Sequence, residues 1–355
     1  RLTFHNAVKD EVYMAGIEDV AKLAGVSTAT VSRALSGKDH VSEKALKKVR
    51  DAAEQLGYVA SSSAYGMATG KTRNIGVVLP FVDRWFFSEL LESVETMVRA
   101  RGYDLTLYNL AGGEKQRNSI FNEFLLRKRV DGVLSCAVRF GKSELESLTR
   151  VRKPIVALGG AIAGARTVSI DDIECGRLAT DHLIALGHTR IAMIGGNTES
   201  EMDFSQPDLR RRGYEEALKK AGLAVDKNLF IPADFTLPGG YRAAKQLIGD
   251  PRNAPTAIFA GSDEMAFGAL LAAKDLGLRV PEQLSIIGVD DHELSDFFGL
   301  TTISQRVAAQ GAHAVNRLIE LIESTKSDDP INIEENEVWP LELVVRGSTA
   351  RPPLR

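Results

Sequence analysis

A chain of 355 residues, 44% hydrophobic and 26% charged, exceeds what one hydrophobic core usually serves, so two or three folding units are expected. No apolar run reaches the roughly 18 residues needed to cross a bilayer. Residues 1–13 lack the apolar stretch and cleavage site of a secretory signal, so a cytoplasmic location without a membrane is expected and these residues are left out of the fold. The formal net charge of −3 hides an asymmetry: residues 14–73 carry nine Lys/Arg against six Asp/Glu, whereas everything from Asn74 onward carries 33 against 39, so only the front of the chain suits a polyanion.

The first module reads as three short helices. One runs from Ile17 to Leu23 and stops at Ala24-Gly25-Val26, where Gly can take a left-handed turn. Ser27 offers an N-cap oxygen to a helix from Thr28 to Leu35. Ser42 caps a third, whose Ala45, Val49, Ala52, Ala53 and Leu56 recur at helical spacing before Gly57. Residues 61–71 are rich in Ser and Gly and form a poor helix alone, so they read as a linker with conditional structure.

From Asn74 the pattern alternates between strands and helices. Apolar runs predict strands over 75–79, 103–108, 130–135, 155–158, 190–194, 256–260 and 284–289. Amphipathic stretches predict helices over 86–100, 114–128, 174–186, 208–221, 239–248 and 263–276. This alternation implies right-handed βαβ units in doubly wound parallel sheets. There are too many units for one sheet, so two similar lobes are expected, joined near Asp171–Ile173 and again near Thr301–Gln305. A ligand cleft belongs between them, at the carboxyl ends of the strands.

Residues 19–35 have the pattern of a helix–turn–helix. Val20, Ala21, Leu23, Val26, Val31 and Leu35 form its expected buried side. Thr28, Ala29, Ser32 and Arg33 share an exposed face suited to the major groove. Arg33 has the geometry for a bidentate bond to guanine, and the methyls of Thr28 and Ala29 for contact with thymine. Ser27, Thr30 and Ser32 carry hydroxyls placed for phosphate. A three-helix protein-interaction module with a solvated polar face would show the same bare pattern.

The motifs VAKLAGVSTATVSRALSG, HVSEKALKKV and EQLGY, in this order between Ile17 and Tyr58, closely resemble the lactose-repressor (LacI/GalR) family of bacterial transcription regulators. The likeness continues through residues 74–78, 182–188, 210–214 and 286–291. The resemblance implies a small all-α helix–turn–helix domain at 14–60, a hinge at 61–73, and an α/β effector domain at 74–347 similar to periplasmic sugar-binding proteins. One lobe is expected to hold about 74–172 and 304–335, the other about 173–303 and 336–347. His40 joins the expected DNA contacts. Met67 stands where the family wedges an apolar side chain into the minor groove. Here Ala60-Ser61 and Tyr65-Gly66 depart from the family pattern, and Gly66 costs about 1 kcal/mol of helix stability against Ala.

For the effector, the resemblance nominates Arg210 and Asp290 as partners of ligand hydroxyls, with Phe86 and Phe87 opening the first body helix and Asp83, Phe235 and Gln305 as further candidates. Trp85 either stacks on the ligand or caps the cleft. Arg210 could instead pair with a neighbouring Asp, and Asp290 could cap a helix. The expected partners are double-stranded DNA carrying an inverted repeat, a second copy of the chain, and a small molecule, most naturally a sugar. The expected function is a repressor answering to that effector.

Other chemistries find little support. Gly159-Gly160 and Gly195-Gly196 fit neither phosphate-binding glycine pattern. Cys136 and Cys175 have no metal-ligand spacing and read as buried small hydrophobes. The six histidines form no H-x-x-x-H pair and no G-x-S-x-G elbow occurs, so neither catalysis nor a metal nor a cofactor is expected. A periplasmic solute receptor would share the lobes, but not the helix–turn–helix.

Overall fold

The computed structural model describes residues 15–35, 41–58, 71–111, 113–124, 129–138, 140–151, 153–162, 164–196, 206–250, 252, 254–324 and 336–353. The chain divides into two units, 1–73 and 74–355. The positions of His40 and Met67, and most of the hinge, lie outside the described residues.

The first unit consists of α1 (Ile17–Ala24), α2 (Thr28–Leu35) and α3 (Glu43–Leu56). Gly25 ends α1 at φ 67°, in the left-handed region, and Val26 N–H returns to the Ala21 carbonyl at 3.0 Å. Ser27 Oγ accepts Thr30 N–H at 3.1 Å to start α2, and Ser42 Oγ accepts Ala45 N–H at 3.3 Å to start α3. The shared core is made of small residues, among them Ala21, Ala24, Ala34, Ala52 and Ala53 around Val20, Val31 and Val49. Leu23, expected on the buried side, is 46% exposed. At 100° per residue, Ile17, Val20, Ala21 and Ala24 fall on one helix face and Leu23 lies outside it.

The second unit is two lobes, each built on a six-stranded sheet. Lobe 1 contains β1 (Asn74–Leu79), α4 (Trp85–Ala100), β2 (Asp104–Asn109), α5 (Gly113–Ser119), β3 (Gly132–Cys136), α6 (Lys142–Val151), β4 (Ile155–Leu158) and β5 (Arg166–Ile170). The chain then crosses to lobe 2 for α7 (Asp172–Ala185), β6 (Ile191–Gly196), α8 (Gln206–Lys220), β7 (Phe230–Ala233), α9 (Leu237–Ile248) and β8 (Ala257–Ala260). It continues through α10 (Asp263–Asp275), β9 (Ser285–Asp290), α11 (Ser295–Phe298) and β10 (Thr301–Ser304). Helix α12 (Val307–Ser324) and strand β11 (Asn336–Trp339) return to lobe 1, and β12 (Glu342–Val344) closes the second sheet.

The strand orders are β11-β5-β4-β3-β1-β2 and β12-β10-β9-β8-β6-β7, parallel throughout except for β12, which runs antiparallel to β10. Both orders reverse direction beside their first strand, which is the doubly wound arrangement. The apolar runs are explained by burial on two faces. Ile75, Val77 and Leu79 pack under α4 and α12 with Leu90, Val94 and Leu318, while Val78 joins Tyr108, Phe121 and Val133 on the other face. In lobe 2, α9 and α10 cover one face and α7 and α8 the other. No helix among the described residues is long and apolar enough to cross a membrane.

The sequence expectation lacks helices α6, α11 and α12 and strands β7 and β12, and three further features depart from it. Residues 336–347 do not all belong to lobe 2: β11 pairs with β5, Asn336 opposite Thr167, and only then does the chain cross to β12. The open edge of β5 accepts it, so the lobes are joined by three crossovers rather than two. The predicted helix 114–128 is α-helical only to Ser119, then widens into a π turn, Ile120–Phe124, in which Ile120 and Phe121 are buried. Strands β5 and β10 escape prediction because Arg166, Thr167, Ser169, Thr301 and Thr302 break the apolar runs. Their polar atoms are used internally, as where Thr302 Oγ1 donates to Asp263 at 2.7 Å.

Helices α7 and α8 touch backbone to backbone. A Cβ on Gly176 would lie 2.0 Å from the Arg210 carbonyl oxygen, and one on Gly213 2.0 Å from that of Ile173. Gly176→Ala is therefore expected to cost about 1–3 kcal/mol by overpacking, read as a lowered urea midpoint of the effector domain. An unchanged midpoint would show that the helices move apart freely.

Candidate functional site

In the first unit, Thr28, Ala29 and Arg33 are exposed on α2 and Ser32 is half-buried beside them. Arg33 Nε donates to the Ala29 carbonyl at 3.2 Å, which lays the guanidinium along that face. Ser27 and Thr30 hydroxyls bond each other at 2.9 Å at the start of the helix. Lys44, Lys47, Lys48 and Arg50 are exposed on α3. The unit thus presents a short polar helix face with basic side chains on another helix, as a groove reader with phosphate contacts requires.

The second unit holds a cleft of about 220 Å³ between its lobes. Its walls are the ends of parallel strands: Ala137 follows β3, Leu158 ends β4, Ile170 ends β5, Ala233 ends β7, Asp290 ends β9 and Gln305 follows β10. Strand carboxyl ends are where doubly wound sheets leave room for ligands. Phe86, Phe87, Arg210, Phe235, Asp290 and Gln305 all line it. Asp83 does not: it is exposed in the bend before α4, and its neighbour Arg84 lines the cavity instead. Trp85 is also absent from the lining, and its ring stacks on His292.

Arg210 is buried, with Nε donating to Asp172 Oδ1 at 2.8 Å and Nη1 to the Gly261 carbonyl at 2.6 Å. Arg210 therefore pairs with an Asp and also lines the cavity. Gln305 Nε2 donates to Asp290 Oδ1, and the Gln305 carbonyl accepts from Gln310 Nε2 at 2.6 Å. Burial pushes the Asp290 carboxyl up to about 7 against the pull of the Arg210 guanidinium. Burial likewise raises Asp172 and Glu264. Behind the wall, Asp263 accepts from His292 N–H, Ser295 Oγ and Thr302 Oγ1, and burial together with the nearby Asp290 raises it to about 8. Three lining residues hold left-handed backbone, Ala137 at φ 47°, Phe235 at 56° and Asp290 at 121°. Such strain persists where surrounding structure imposes it, often at binding sites.

Sequence reasoning missed Asp172, Gln206, Glu264 and Arg84, which also line the cavity. Gln206 lies one helical turn before Arg210 on α8, a spacing that places both on one face. Its Oε1 is buried without a hydrogen-bond partner in the structure. Glu264 follows β8 at the start of α10, so the strand-end rule could have found it.

A helix–turn–helix joined to two doubly wound lobes around a polar cavity defines a DNA-binding regulator with a ligand-binding domain. Residues 16–61 match the family described as bacterial regulatory proteins, lacI family, and residues 180–349 match a periplasmic binding protein-like domain. The ribose operon repressor of Escherichia coli (strain K12) is 38% identical over 314 residues, covering 87% of this chain and 93% of that relative. The HTH-type transcriptional repressor PurR of Haemophilus influenzae (strain PittEE) is 36% identical over 342 residues, covering 94% and 98%. Among solved structures, the lac repressor dimer bound to operator and an anti-inducer matches with TM-score 0.81 at 26% identity, covering 95% of this chain and 100% of that one. A LacI family regulator from Enterococcus faecium with bound ribose matches with TM-score 0.68 at 26% identity, covering 79% and 100%. The chain belongs to the lacI family of bacterial regulatory proteins and is a DNA-binding transcription regulator.

The raised Asp290 carboxyl makes stability depend on pH. Its folded pKa of about 7 lies above the ordinary 3.8, so the folded state holds the proton more tightly. The contribution is full below pH 3.8 and is lost as pH rises through 7. Asp290→Asn removes that loss, so the Tm of the variant minus that of the parent should grow from pH 5 to pH 8 in calorimetry without ligand. Parallel curves would place the Asp290 carboxyl in an ordinary, solvated environment.

Proposed function

We propose that this protein is a repressor working as a homodimer on an inverted-repeat operator in the bacterial cytoplasm, released or engaged by a neutral monosaccharide in the interlobe cavity. The observation that carries the effector is that the polar set Arg210, Asp290, Gln305 and Gln206 lines one cleft together with Phe86, Phe87 and Phe235. Vicinal hydroxyls both donate and accept, which suits a carboxylate, a guanidinium and carboxamides, while the C–H face of a sugar packs on aromatic rings. Arg84 and Arg210 stand against Asp172, Asp234, Glu264 and Asp290, so a phosphorylated sugar meets net repulsion. At about 220 Å³ the cavity lies below the roughly 300–1,000 Å³ of drug-sized sites, which favours one sugar ring over two. Ribose is the first candidate, since both the Escherichia coli relative and the Enterococcus faecium complex carry its name.

The domain limits follow this reading: 14–60 bind the major groove through Ser27, Thr28, Ala29, Thr30, Ser32 and Arg33 with His40, residues 61–73 carry the Met67 wedge, and 74–347 hold effector and dimer contacts. An effector shifts operator affinity only by preferring one arrangement of the lobes, a coupling of about 1–3 kcal/mol in comparable systems. No catalytic step enters the scheme.

Calorimetry with D-ribose tests the ligand: the parent binds, and Arg210→Ala and Asp290→Ala lose binding while retaining operator affinity. Equal ribose affinity in parent and both variants would put the site elsewhere. On the DNA side, Arg33→Ala is expected to cost about 1–3 kcal/mol per half-site and to relax preference at one base position. Equal weakening on operator and random DNA would assign Arg33 to phosphate contact.

A further inference from the structure

Helix α4 of lobe 1 begins without a cap of its own: Arg84 is the N-cap residue and its side chain makes no capping bond. The Trp85 backbone N–H helps Glu264, on α10 of lobe 2, to keep its charge against burial. The Trp85 ring lies on His292 of lobe 2 with centroids 4.4 Å apart and planes 25° apart. His292 is backed edge-on by Phe267 at 5.2 Å. It is also fixed by its own bonds, N–H to Asp263 Oδ2 at 2.9 Å and Nδ1 accepting Leu294 N–H at 3.0 Å. Residues close in sequence to both rings line the cavity, Arg84 and Phe86 on one side and Asp290 on the other. Burial raises Glu89 on α4, and the like charges of Glu92 on the same helix and of Glu293 beside His292 add to that rise.

We propose that the Trp85–His292 stack is a reversible clasp between the lobes whose opening speeds the exchange of effector with the cavity. The proposal rests on the reading of that cavity as the effector site. Every attractive contact of the clasp joins one lobe to the other, so separating the lobes breaks all of them at once. The ring stack favours closure. Like charge on Glu89, Glu92 and Glu293 opposes it. Removing the His292 ring raises the open fraction, and ligand association rises in proportion to that fraction.

The chain holds two tryptophans, so Trp339→Phe leaves Trp85 as the sole indole reporter. In that background, acrylamide should quench Trp85 weakly, and His292→Ala should raise quenching toward that of a free indole. Phe267→Leu, which removes only the backing ring, should act in the same direction and serves where His292→Ala does not fold. Stopped-flow mixing with D-ribose should show association about 2- to 12-fold faster in the variants, with faster dissociation. A contact that merely supported the fold would lower Tm without accelerating association. Equal quenching in parent and variants overturns the clasp, as does increased quenching with unchanged ribose rates. Absence of ribose binding to the parent counts against ribose as effector, and the quenching comparison then decides the clasp alone.

Discussion

A guanidinium taken out of water must be met on its polar edges, and the second unit is arranged to meet Arg210. Asp172 and the Gly261 carbonyl replace part of its hydration. A buried pair of this kind rarely adds net stability, because desolvation offsets attraction, yet removing one partner costs about 3–5 kcal/mol. Its value is positional. Asp172 opens α7 directly after the first crossover, Gly261 follows β8, and Arg210 rides on α8, so one side chain ties a crossover, a strand end and a helix together. The close approach of α7 and α8 at Gly176 and Gly213 brings the two ends of the ion pair within reach. Gly288 extends the same logic, since a Cβ there would lie 2.0 Å from Asp263 Oδ1 and displace the carboxylate that holds the turn after Asp290.

Fixed in this way, Arg210 sets the electrostatics of the cavity around it. It attracts Asp172 and Asp290 while burial disfavours the charge on both. Near neutral pH, Asp290 is therefore poised between donor and acceptor, and a hydroxyl group can satisfy either state. A second anion would remove that balance, because Glu264 and Asp234 already stand in the lining. Asp290 and Phe235, both at positive φ, line the same cavity from the end of β9 and from the turn after β7.

The architecture was legible in the sequence wherever two-faced burial produced an apolar run. Strands β1, β3, β4, β6, β8 and β9 follow from such runs, and helices α4, α7, α8, α9 and α10 from their periodicity, whereas α6 and α12 do not. Strands β5, β10 and β11 were not legible, because Thr167, Thr301 and Asn336 are polar residues whose place depends on a neighbouring strand rather than on local pattern. The crossover after Trp339 was hidden for the same reason. In the site, residues of the family motifs reached the cavity, whereas Asp172 and Glu264 were overlooked. Neither belongs to a conspicuous motif, and each acquires its role from a strand end that only the assembled sheets bring together. Asp83 shows the converse: a plausible residue type one position away from the side chain, Arg84, that the bend turns inward.

Three crossovers make relative motion of the lobes cheap in covalent terms, so the balance between arrangements falls to the contacts across the seam. Lobe 1 contributes Phe86 and Phe87 to the cavity, and lobe 2 contributes Arg210 and Asp290. A ligand touching both sets gains its full interaction only when the lobes are together, which is the differential affinity any shift of population requires. Without ligand, the Trp85–His292 stack supplies part of the same attraction, and like charge on Glu89, Glu92 and Glu293 subtracts from it. The free protein thus starts near the closed arrangement, and the effector has less conformational free energy to supply than it would from a widely open one. The cost of that preorganisation is kinetic. A site held shut by an aromatic stack binds more tightly at equilibrium than a loose one and exchanges its ligand more slowly.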